Sequence, residues 1–333
     1  RGGNSRGATL YVTLEPCCTQ GRTPPCTGAI IAAGIKRVVV GATDPNPNHA
    51  GKGFTLLQSA GIEVLSGVLA GECAELNEAF NHWIVSRTPF VTVKAAMTLD
   101  GKIATASGES KWITGELARA CGMKLRQGSD AILVGVNTIL NDDPSLTRRD
   151  NGKESGNTHH STSNVEHPKL QRIILDSLAR TPLTARVVTD EHAALTTIVV
   201  SSKAPKQRVK VLSKQVQVLV APLVRSKIKN QKFKIDLAGL LQELGRQNIT
   251  SLLVEGGGEV NASFLLGGFA QRVAFFYAPK ILGGRDSKKA VAGEGVKSLS
   301  EVIRLENVEW KQLGSDLLLT AKIAAFPNSL LKK

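Results

Sequence analysis

The segment from Pro16 to Cys26, which reads P-C-C-T-Q-G-R-T-P-P-C, decides how the first part of the chain is interpreted. It follows an apolar run at 10–14 that predicts a β-strand, and it precedes a run at 27–33 that predicts a helix. Cys17 and Cys26 are candidate zinc ligands, because zinc prefers thiolates. The helix start at Cys26 favours a thiolate through the helix dipole. Taken alone, the long spacing leaves a second interpretation open, which is two buried free thiols.

Two cysteines are only part of a catalytic zinc site. Zinc-dependent nucleobase deaminases add a third His or Cys ligand and a glutamate that shuttles protons. Those residues come from an H-x-E element, and the sequence that begins at Arg1 contains none. His49 lies downstream of both cysteines, in the wrong element to serve as the third ligand. We therefore expect weak or absent zinc binding and no deaminase turnover, whether the element was lost naturally or belongs to a longer protein.

The composition indicates a two-domain α/β protein of the cytoplasm. The chain has 333 residues, of which 42% are hydrophobic, and that is enough for two cores. No apolar run reaches the length of about 20 residues that spans a membrane. Five scattered cysteines do not make a disulfide scaffold, so we expect a reducing compartment.

The net charge of +14 allows two interpretations. A basic chain can bind nucleic acid through its phosphates. Here the excess is scattered, and only 4% of the residues are aromatic, which is poor for stacking on bases. The composition favours a solvated basic surface that also suits small anionic substrates.

Alternating strand and helix patterns organise the chain. Over 1–86 they predict a parallel sheet with crossover helices, the last being one helix at about 71–85. Ser86-Arg-Thr-Pro89 predicts a boundary between a domain at 1–86 and a domain at 87–333. Eight strand-like runs in the second domain begin at residues 90, 131, 172, 197, 216, 251, 272 and 317. The polar run 150–167, with the pair His159-His160, predicts a surface loop with solvated histidines.

Several rigid strings resemble the bifunctional riboflavin-biosynthesis deaminase/reductases, the RibD or RibG family. The long cysteine spacing is that family's own pattern. The resemblance covers essentially the whole chain. The strings are Ala8-Thr-Leu-Tyr-Val-Thr-Leu-Glu-Pro-Cys17, Gly21-Arg-Thr-Pro-Pro-Cys26, Asp44-Pro-Asn-Pro47, Gly51-Lys-Gly53, Lys94-Ala-Ala-Met-Thr-Leu-Asp-Gly-Lys102, Ser107-Gly-Glu-Ser-Lys-Trp-Ile-Thr114, Asn141-Asp-Asp-Pro-Ser-Leu-Thr147 and Val254-Glu-Gly-Gly-Gly-Glu259.

The resemblance implies a partial cytidine-deaminase-like domain followed by a dihydrofolate-reductase-like reductase domain. It implies that NADPH reduces the ribosyl group of 5-amino-6-(5-phosphoribosylamino)uracil to ribityl. In the complete protein, a zinc-dependent deamination of the preceding diaminopyrimidine phosphate comes first. We expect a small pyrimidine ribosyl phosphate as the partner, a homo-oligomer, and no nucleic-acid or membrane partner.

The resemblance also assigns binding residues in the second domain. The NADPH site would comprise Ala96, Trp112, Thr138, Asp142, Ser177, Gly257, Gly258, Glu259, Val260, Asn261, Ala262 and Ser263. The substrate site would comprise Ser110, Arg126, Leu146, Arg149 and Glu255. Arg148 adjoins Arg149, so which of the two contacts the substrate phosphate stays open. Trp112 alone could equally be a core residue.

The residue chemistry supports these assignments independently. Small residues at Gly256-Gly-Gly258, before a predicted helix, let backbone amides approach a phosphate, although a plain tight turn would look the same. The catalytic candidates are Lys94, Asp142 and Glu255. Lys94 is expected to protonate the sugar oxygen, because an interior lysine is costly unless it is paired or used.

Two alternatives to the bifunctional enzyme are kept. One is a reductase whose N-terminal domain serves only for assembly. The other is a nucleic-acid-binding protein built on a deaminase remnant, which the composition disfavours.

Overall fold

The computed structural model describes residues 5–21, 23–148, 169–225 and 233–324. Arg149 and the run 150–167 lie outside the described residues. The chain divides into two compact units, Arg1–Phe90 and Val91–Lys333. Within the described ranges, no helix is both long and apolar enough to cross a bilayer.

The first unit is built on a parallel sheet of three strands in the order β1-β2-β3, which confirms the predicted parallel sheet. β2 is central and almost wholly buried, and this explains its continuous Val-Val-Val run. Ile30 and Leu57, from the helices on either side of β2 in the sequence, pack against it. The elements are β1 (Thr9–Leu14), α1 (Cys26–Ala32), β2 (Arg37–Ala42), α2 (Lys52–Ser59), β3 (Glu63–Ser66), α3 (Ala70–Leu76) and α4 (Glu78–Ser86).

The single helix expected at 71–85 is wrong, because the chain forms two helices that meet at Asn77. The Asn77 side-chain amide donates to the Cys73 carbonyl at 2.7 Å and to the Thr13 hydroxyl at 3.1 Å. A side-chain amide that bonds the preceding turn competes with continuation of the helix. The apolar periodicity of the sequence continues across Asn77, so it does not predict this helix break.

The second unit contains a nine-stranded sheet in the order β15-β16-β13-β4-β12-β6-β7-β8-β9. Its strands are β4 (Phe90–Thr98), β6 (Ala131–Gly135), β7 (Gln171–Leu175), β8 (Thr196–Ser201), β9 (Gln217–Ala221), β12 (Ser251–Val254), β13 (Arg272–Ala278), β15 (Leu305–Leu313) and β16 (Asp316–Ile323). Four short strands form two small sheets, β5 (Lys102–Ala104) with β14 (Lys288–Lys289) and β10 (Leu223–Arg225) with β11 (Phe233–Ile235). The helices are α5 (Glu116–Gln127), α6 (Val136–Asp142), α7 (Arg186–Thr189), α8 (Lys206–Leu212), α9 (Leu237–Arg246) and α10 (Gly258–Leu266), with 3₁₀ turns at Ala193–Leu195 and Leu299–Glu301.

Both faces of this sheet are covered. On β6, Ile132 packs in one buried cluster and Leu133 in another, and on β7 Ile173 and Ile174 divide in the same way. Strands that are buried on both faces read as continuous apolar runs, which is why central strands such as β6 and β7 are visible in the sequence. Because both faces of the sheet are covered, polar side chains that bind a ligand are expected at the ends of the strands.

The ninth strand, β15, was not predicted. It is exposed along almost its whole length at one edge of the sheet. Its pairing with β16 shifts register between Glu306 and Glu309. The irregular pairing and the solvent exposure remove the alternation of apolar and polar residues by which a half-buried strand is recognised.

One charged side chain of the core serves the fold. Arg172 on β7 is 1% exposed and pairs with Asp190 through two hydrogen bonds of 2.7 and 2.8 Å. It also donates to Thr196, to the Val187 carbonyl and to the Ser145 carbonyl. A buried guanidinium is tolerated because its donors are satisfied in this way.

Candidate active site

Three charged side chains meet within the second unit. Glu255 directly follows β12, Lys94 lies on the neighbouring strand β4, and Arg126 lies in the last turn of α5. Arg126 forms two hydrogen bonds of 2.8 Å to the two carboxylate oxygens of Glu255. Lys94 Nζ lies 3.5 Å from Glu255 Oε2. The structure therefore brings together two of the predicted catalytic residues and one predicted substrate residue.

The electrostatics of this cluster keep Glu255 ionised. Burial by itself would raise the pKa of the Glu255 carboxyl, but the charges of Lys94 and Arg126 and their hydrogen bonds outweigh it and lower the pKa to about 2. Burial opposes the charge of Arg126, yet the bonds to Glu255 raise its pKa overall. The cluster thus carries two cations for one anion. It has a net positive charge that suits an anionic ligand.

The surroundings of Lys94 limit where its ammonium group can lie. The side chain is 19% exposed, and its Nζ lies 5.8 Å from the centre of the Phe276 ring. Gly122 on α5 lies against it, and a Cβ there would be 3.7 Å from Lys94 Cε. A lysine held between an aromatic ring and a helix, with one carboxylate partner, can present a proton from a fixed position.

An open cleft of about 360 Å³ lies in the same unit. Its lining residues are Thr98, Thr105, Glu109, Ser110, Lys111, Trp112, Ile113, Lys280, Ile281 and Leu282. Ser110 and Trp112 were predicted for the substrate and the cofactor, so the cleft contains one residue of each set. Trp112 is 63% exposed and is not a core residue.

Asp100, which follows β4, joins two segments that contribute residues to the lining of this cleft. Its carboxylate accepts from the Thr98 hydroxyl at 2.6 Å and from the amides of Leu282 and Gly283 at 3.0 and 2.8 Å. The Thr98 hydroxyl and then these amides lower the pKa of Asp100 to about 2. Asp100 therefore joins the segment after β4 to the segment after β13.

The predicted phosphate-binding turn precedes α10. Gly258 begins the helix, and a Cβ there would overlap the carbonyl oxygen of Lys289. Asn261, in the first turn, is fully buried, and its Nδ2 donates to the Ala290 carbonyl at 2.9 Å. Its Oδ1 is buried without a hydrogen-bond partner. Free helix amides and an unsatisfied buried amide oxygen fit a dinucleotide, whose phosphates accept and whose carboxamide donates.

The other residues predicted around α10 occupy both its sides. Ala262 is buried, whereas Glu259 is exposed and its carboxylate accepts from the Gly293 amide at 3.4 Å. The Ser263 hydroxyl donates to the Glu259 carbonyl at 2.8 Å. Val260 is half-buried against the main core. Gly257 is the residue before the helix, with room for a ligand around its Cα.

The remaining predicted cofactor residues are spread over the strand ends. Ala96 lies on β4, Thr138 on α6, and the exposed Ser177 just after β7. Asp142 ends α6 and lies 3.8 Å from Lys111 Nζ. Asp142 is thus paired with a lysine of the cleft, and within the described residues it forms no ion pair with the cluster of Lys94, Glu255 and Arg126.

The predicted substrate segment after α6 is firmly held. Leu146 is 2% exposed, with its side chain in the core and a backbone φ of +53°. The Arg148 guanidinium donates to the Ser129 carbonyl at 2.7 Å. Arg149 lies outside the described residues. The choice between Arg148 and Arg149 as the phosphate ligand stays a prediction.

In the first unit the two candidate zinc ligands lie side by side. The Cys26 amide donates to Cys17 Sγ at 3.2 Å. The hydrogen bond to Cys17, followed by partial burial, raises the pKa of the Cys26 thiol. Within the described ranges, no group of three His, Cys, Asp or Glu side chains is placed to hold a metal ion. A catalytic zinc usually has three protein ligands, so the described residues fit it only in part.

Glu15 was missed as an organising residue of this unit. It is 3% exposed, and its carboxylate accepts from the amides of Asp44, Gly51 and Gly53 at 3.2, 2.9 and 2.9 Å. It therefore shapes the segment between β2 and α2. A glutamate that directly ends an apolar strand was the available signal.

His49 was set aside as a zinc ligand, and it instead contacts the thiol beside the predicted site. Its Nδ1 lies 3.5 Å from Cys18 Sγ, and its Nε2 lies 3.2 Å from the Thr19 hydroxyl. The ring thus ties the segment after β2 to the cysteine segment.

Comparisons with known proteins agree with this geometry. The cytidine and deoxycytidylate deaminase zinc-binding region matches residues 1–42, and the RibD C-terminal domain matches residues 89–319. RibD from Acinetobacter baumannii has a similar structure, with a TM-score of 0.78 and 33% identity over 96% of this chain and 82% of that one. The protein is an α/β enzyme in which a partial cytidine-deaminase-like domain precedes a dihydrofolate-reductase-like reductase domain.

Relatives with curated names share most of the chain. The riboflavin biosynthesis protein RibD of Actinobacillus pleuropneumoniae is 43% identical over 94% of this chain and 78% of its own length. A diaminohydroxyphosphoribosylaminopyrimidine deaminase/5-amino-6-(5-phosphoribosylamino)uracil reductase from Thermotoga maritima has a TM-score of 0.74 and 34% identity, over 97% of this chain and 81% of that one. The chain belongs to the RibD family of riboflavin biosynthesis proteins.

Proposed function

We propose that the second unit reduces the ribosyl group of 5-amino-6-(5-phosphoribosylamino)uracil to ribityl with NADPH. The observation that carries this proposal is the cluster in which Glu255 is held ionised between Lys94 and Arg126. NADPH, when bound, supplies the hydride. The protein has to bind and orient the two reactants and deliver a proton to the new hydroxyl.

Lys94 is the proton donor of this proposal. Its ammonium group is held in place by Glu255 and by the Phe276 ring, as described above. Hydride addition at C1′ of the ribosyl group breaks the bond from C1′ to the ring oxygen O4′, and the released O4′ takes the proton from Nζ to become the new hydroxyl. Glu255 remains ionised throughout, because its pKa is near 2, and it stabilises the ammonium before transfer.

Arg126 is proposed to bind the substrate phosphate. A guanidinium has five N–H donors. Glu255 engages Nε and one N–H of Nη2, and the other donors are available to a phosphate. The carboxylate also fixes the plane of the guanidinium, so the direction of those donors is set before substrate arrives.

The residues around α10 are proposed to hold the cofactor. The turn Gly256-Gly-Gly258 and the first helix amides would bind its phosphates, and the unsatisfied Oδ1 of Asn261 would accept a donor from it. Trp112 would contact one of its rings. We propose Asp142 near the same ligand, through its partner Lys111.

Deamination of the preceding diaminopyrimidine phosphate is proposed as a second activity wherever a third ligand and a proton-shuttling glutamate are supplied, with Cys17 and Cys26 as two of the zinc ligands. The two thiols are adjacent and are donors of the kind zinc prefers. A cytoplasmic enzyme that acts on a small-molecule substrate fits the family.

The proposed reduction is tested by mixing the purified chain with NADPH and the deaminated ribosylaminouracil phosphate. We expect the absorbance of the reduced nicotinamide, at about 340 nm, to fall as NADPH is consumed. One ribityl product should form for each NADPH consumed. Oxidation of NADPH that does not depend on the pyrimidine substrate would contradict the proposal.

A further inference from the structure

The backbone around Trp112 is held although its ring is exposed. Lys280, which follows β13, donates from Nζ to the carbonyl of Trp112 at 3.0 Å and to that of Ile113 at 2.7 Å. An exposed indole is usually free to change rotamer, and fixing its backbone removes part of that freedom. Trp112 therefore combines a ring that is 63% exposed with a backbone that is held by a side chain from another segment.

The next two residues are held as well. Arg119 Nη1 donates to the Thr114 carbonyl at 2.8 Å. The buried carboxylate of Asp316 accepts from the Gly115 amide at 2.6 Å. Four successive residues, 112–115, are thus bonded to side chains from three other parts of the second unit.

Arg119 also contacts the ring itself. Its Cζ lies 4.6 Å from the centre of the Trp112 ring, within the range of a cation–π contact. The same guanidinium therefore fixes both the backbone after Trp112 and the indole. The rest of the ring faces the cleft described above.

The position of Arg119 links the ring to the charged cluster. Arg119, Gly122 and Arg126 follow one another on α5 at spacings of three and four residues, which places them on one face of the helix. Gly122 leaves room for Lys94, since a Cβ there would be 3.7 Å from Lys94 Cε, and Arg126 binds Glu255. One face of one rigid helix therefore carries both the support of Trp112 and a member of the proposed reaction site.

We propose that Arg119 is a positioning residue that holds Trp112 as a preformed stacking surface for a planar heteroaromatic ring of a bound ligand. In the proposed function that ring belongs to the cofactor, and the test below distinguishes it from the pyrimidine of the substrate. This inference rests on the proposed function. Its basis is the combination of an exposed indole, a stacked cation and four fixed backbone groups, since preorganisation lowers the cost of ordering a binding surface.

The test compares Arg119→Ala, Arg119→Lys and Trp112→Leu in the full chain. NADPH affinity is measured by calorimetry, and KM and kcat are measured with the deaminated ribosylaminouracil phosphate. Loss of a cation–π contact and of ring order should weaken binding of one ligand about three- to tenfold in Arg119→Ala, with kcat changed less than about twofold. A weaker NADPH affinity identifies a ring of the cofactor, and a higher substrate KM identifies the pyrimidine. Arg119→Lys, which keeps the charge, should lie between wild type and Arg119→Ala, and it replaces that variant if the alanine form does not fold.

The double variant Arg119→Ala/Trp112→Leu decides whether Arg119 acts through the indole. If it does, the double variant binds no more weakly than Trp112→Leu alone, because coupled residues are not additive. Additive losses, or unchanged NADPH affinity and substrate KM in Arg119→Ala, would overturn the inference.

A matched control comes from the first unit, where Arg87 lies 5.1 Å from the centre of the Trp83 ring. Arg87→Ala removes the same kind of contact and should leave NADPH affinity and substrate KM unchanged. Failure of the wild-type chain to bind NADPH would count against the proposed function, whereas normal wild-type binding with unaltered Arg119 variants would count only against this inference.

Discussion

The two units offer different kinds of evidence about function. The first has a distinctive motif, yet its two thiols make up only part of a zinc site. The second has weaker motifs, yet its cluster of Lys94, Glu255 and Arg126 is complete in distances and in charge. A motif identifies a family, whereas an assembled set of interacting groups indicates which reaction the residues at hand can support.

The largest effect expected at the cluster is that of Lys94→Met. Loss of a positioned general acid typically reduces the rate by about 10²- to 10⁴-fold, and we expect kcat to fall by that amount. NADPH affinity should stay within about twofold of wild type, as checked by calorimetry. Lys206→Ala, at the exposed start of α8, is the control. Wild-type turnover in the Lys94 variant would show that Lys94 is not the proton donor.

Arg172→Met tests whether a buried charge in the same unit serves only the fold. It leaves Asp190 without its partner, so the free energy of unfolding should fall by about 3–5 kcal/mol. The measurement is urea unfolding followed by circular dichroism. Arg246→Ala, which breaks the exposed pair with Glu243, should change it by less than about 1 kcal/mol. An equal fall in the free energy of unfolding in the two variants would contradict the expectation that the buried ion pair contributes more to stability than the exposed one.

The acid dependence of stability tests the charge state of Glu255. Its pKa is lowered from 4.5 to about 2, so its ionised form stabilises the folded protein above the unfolded pKa. That contribution, of about 3 kcal/mol at most, should be lost as the pH falls from about 5 to 2. Glu255→Gln should be less stable at neutral pH and show a shallower acid dependence. An unchanged acid profile would mean that Glu255 is not the ionised centre of the cluster.

The smallest effect is expected in the first unit. Cys26→Ser should change NADPH-dependent turnover by less than about twofold, because the thiols are not part of the proposed reduction. It should lower any measurable zinc affinity, since one of two soft ligands is lost. Zinc content by plasma emission spectrometry and reductase rate are measured on the same sample. A large loss of reductase activity would mean that the two units are not functionally separate.

Much of this fold could be predicted from its sequence. The central strands are buried on both faces, and their continuous apolar runs, such as Ala131–Gly135, are visible without a structure. β15 and the helix break at Asn77 were not predictable, because the first depends on an irregular edge pairing and the second on one side-chain amide.

The site was predictable in its members and not in its arrangement. Lys94, Arg126 and Glu255 were named individually, but their mutual pairing depends on β4 and β12 being neighbours in a sheet whose order is not the chain order. Arg119 was not predicted. Its role depends on contact with the ring of Trp112, seven residues earlier, and that contact depends on the path of the non-helical segment before α5. Lys280 and Asp100 follow the ends of two adjacent strands, and that position was the signal for both.

The cluster around Glu255 is proposed to carry the reduction, and one assay compares the protein with and without its proton donor. The wild-type chain and Lys94→Met are compared for NADPH oxidation with the deaminated ribosylaminouracil phosphate, at equal and saturating NADPH. We expect substrate-dependent oxidation with a ribityl product for the wild type and a loss of at least about 100-fold for the variant. Substrate-dependent oxidation at equal rates in both proteins would contradict it.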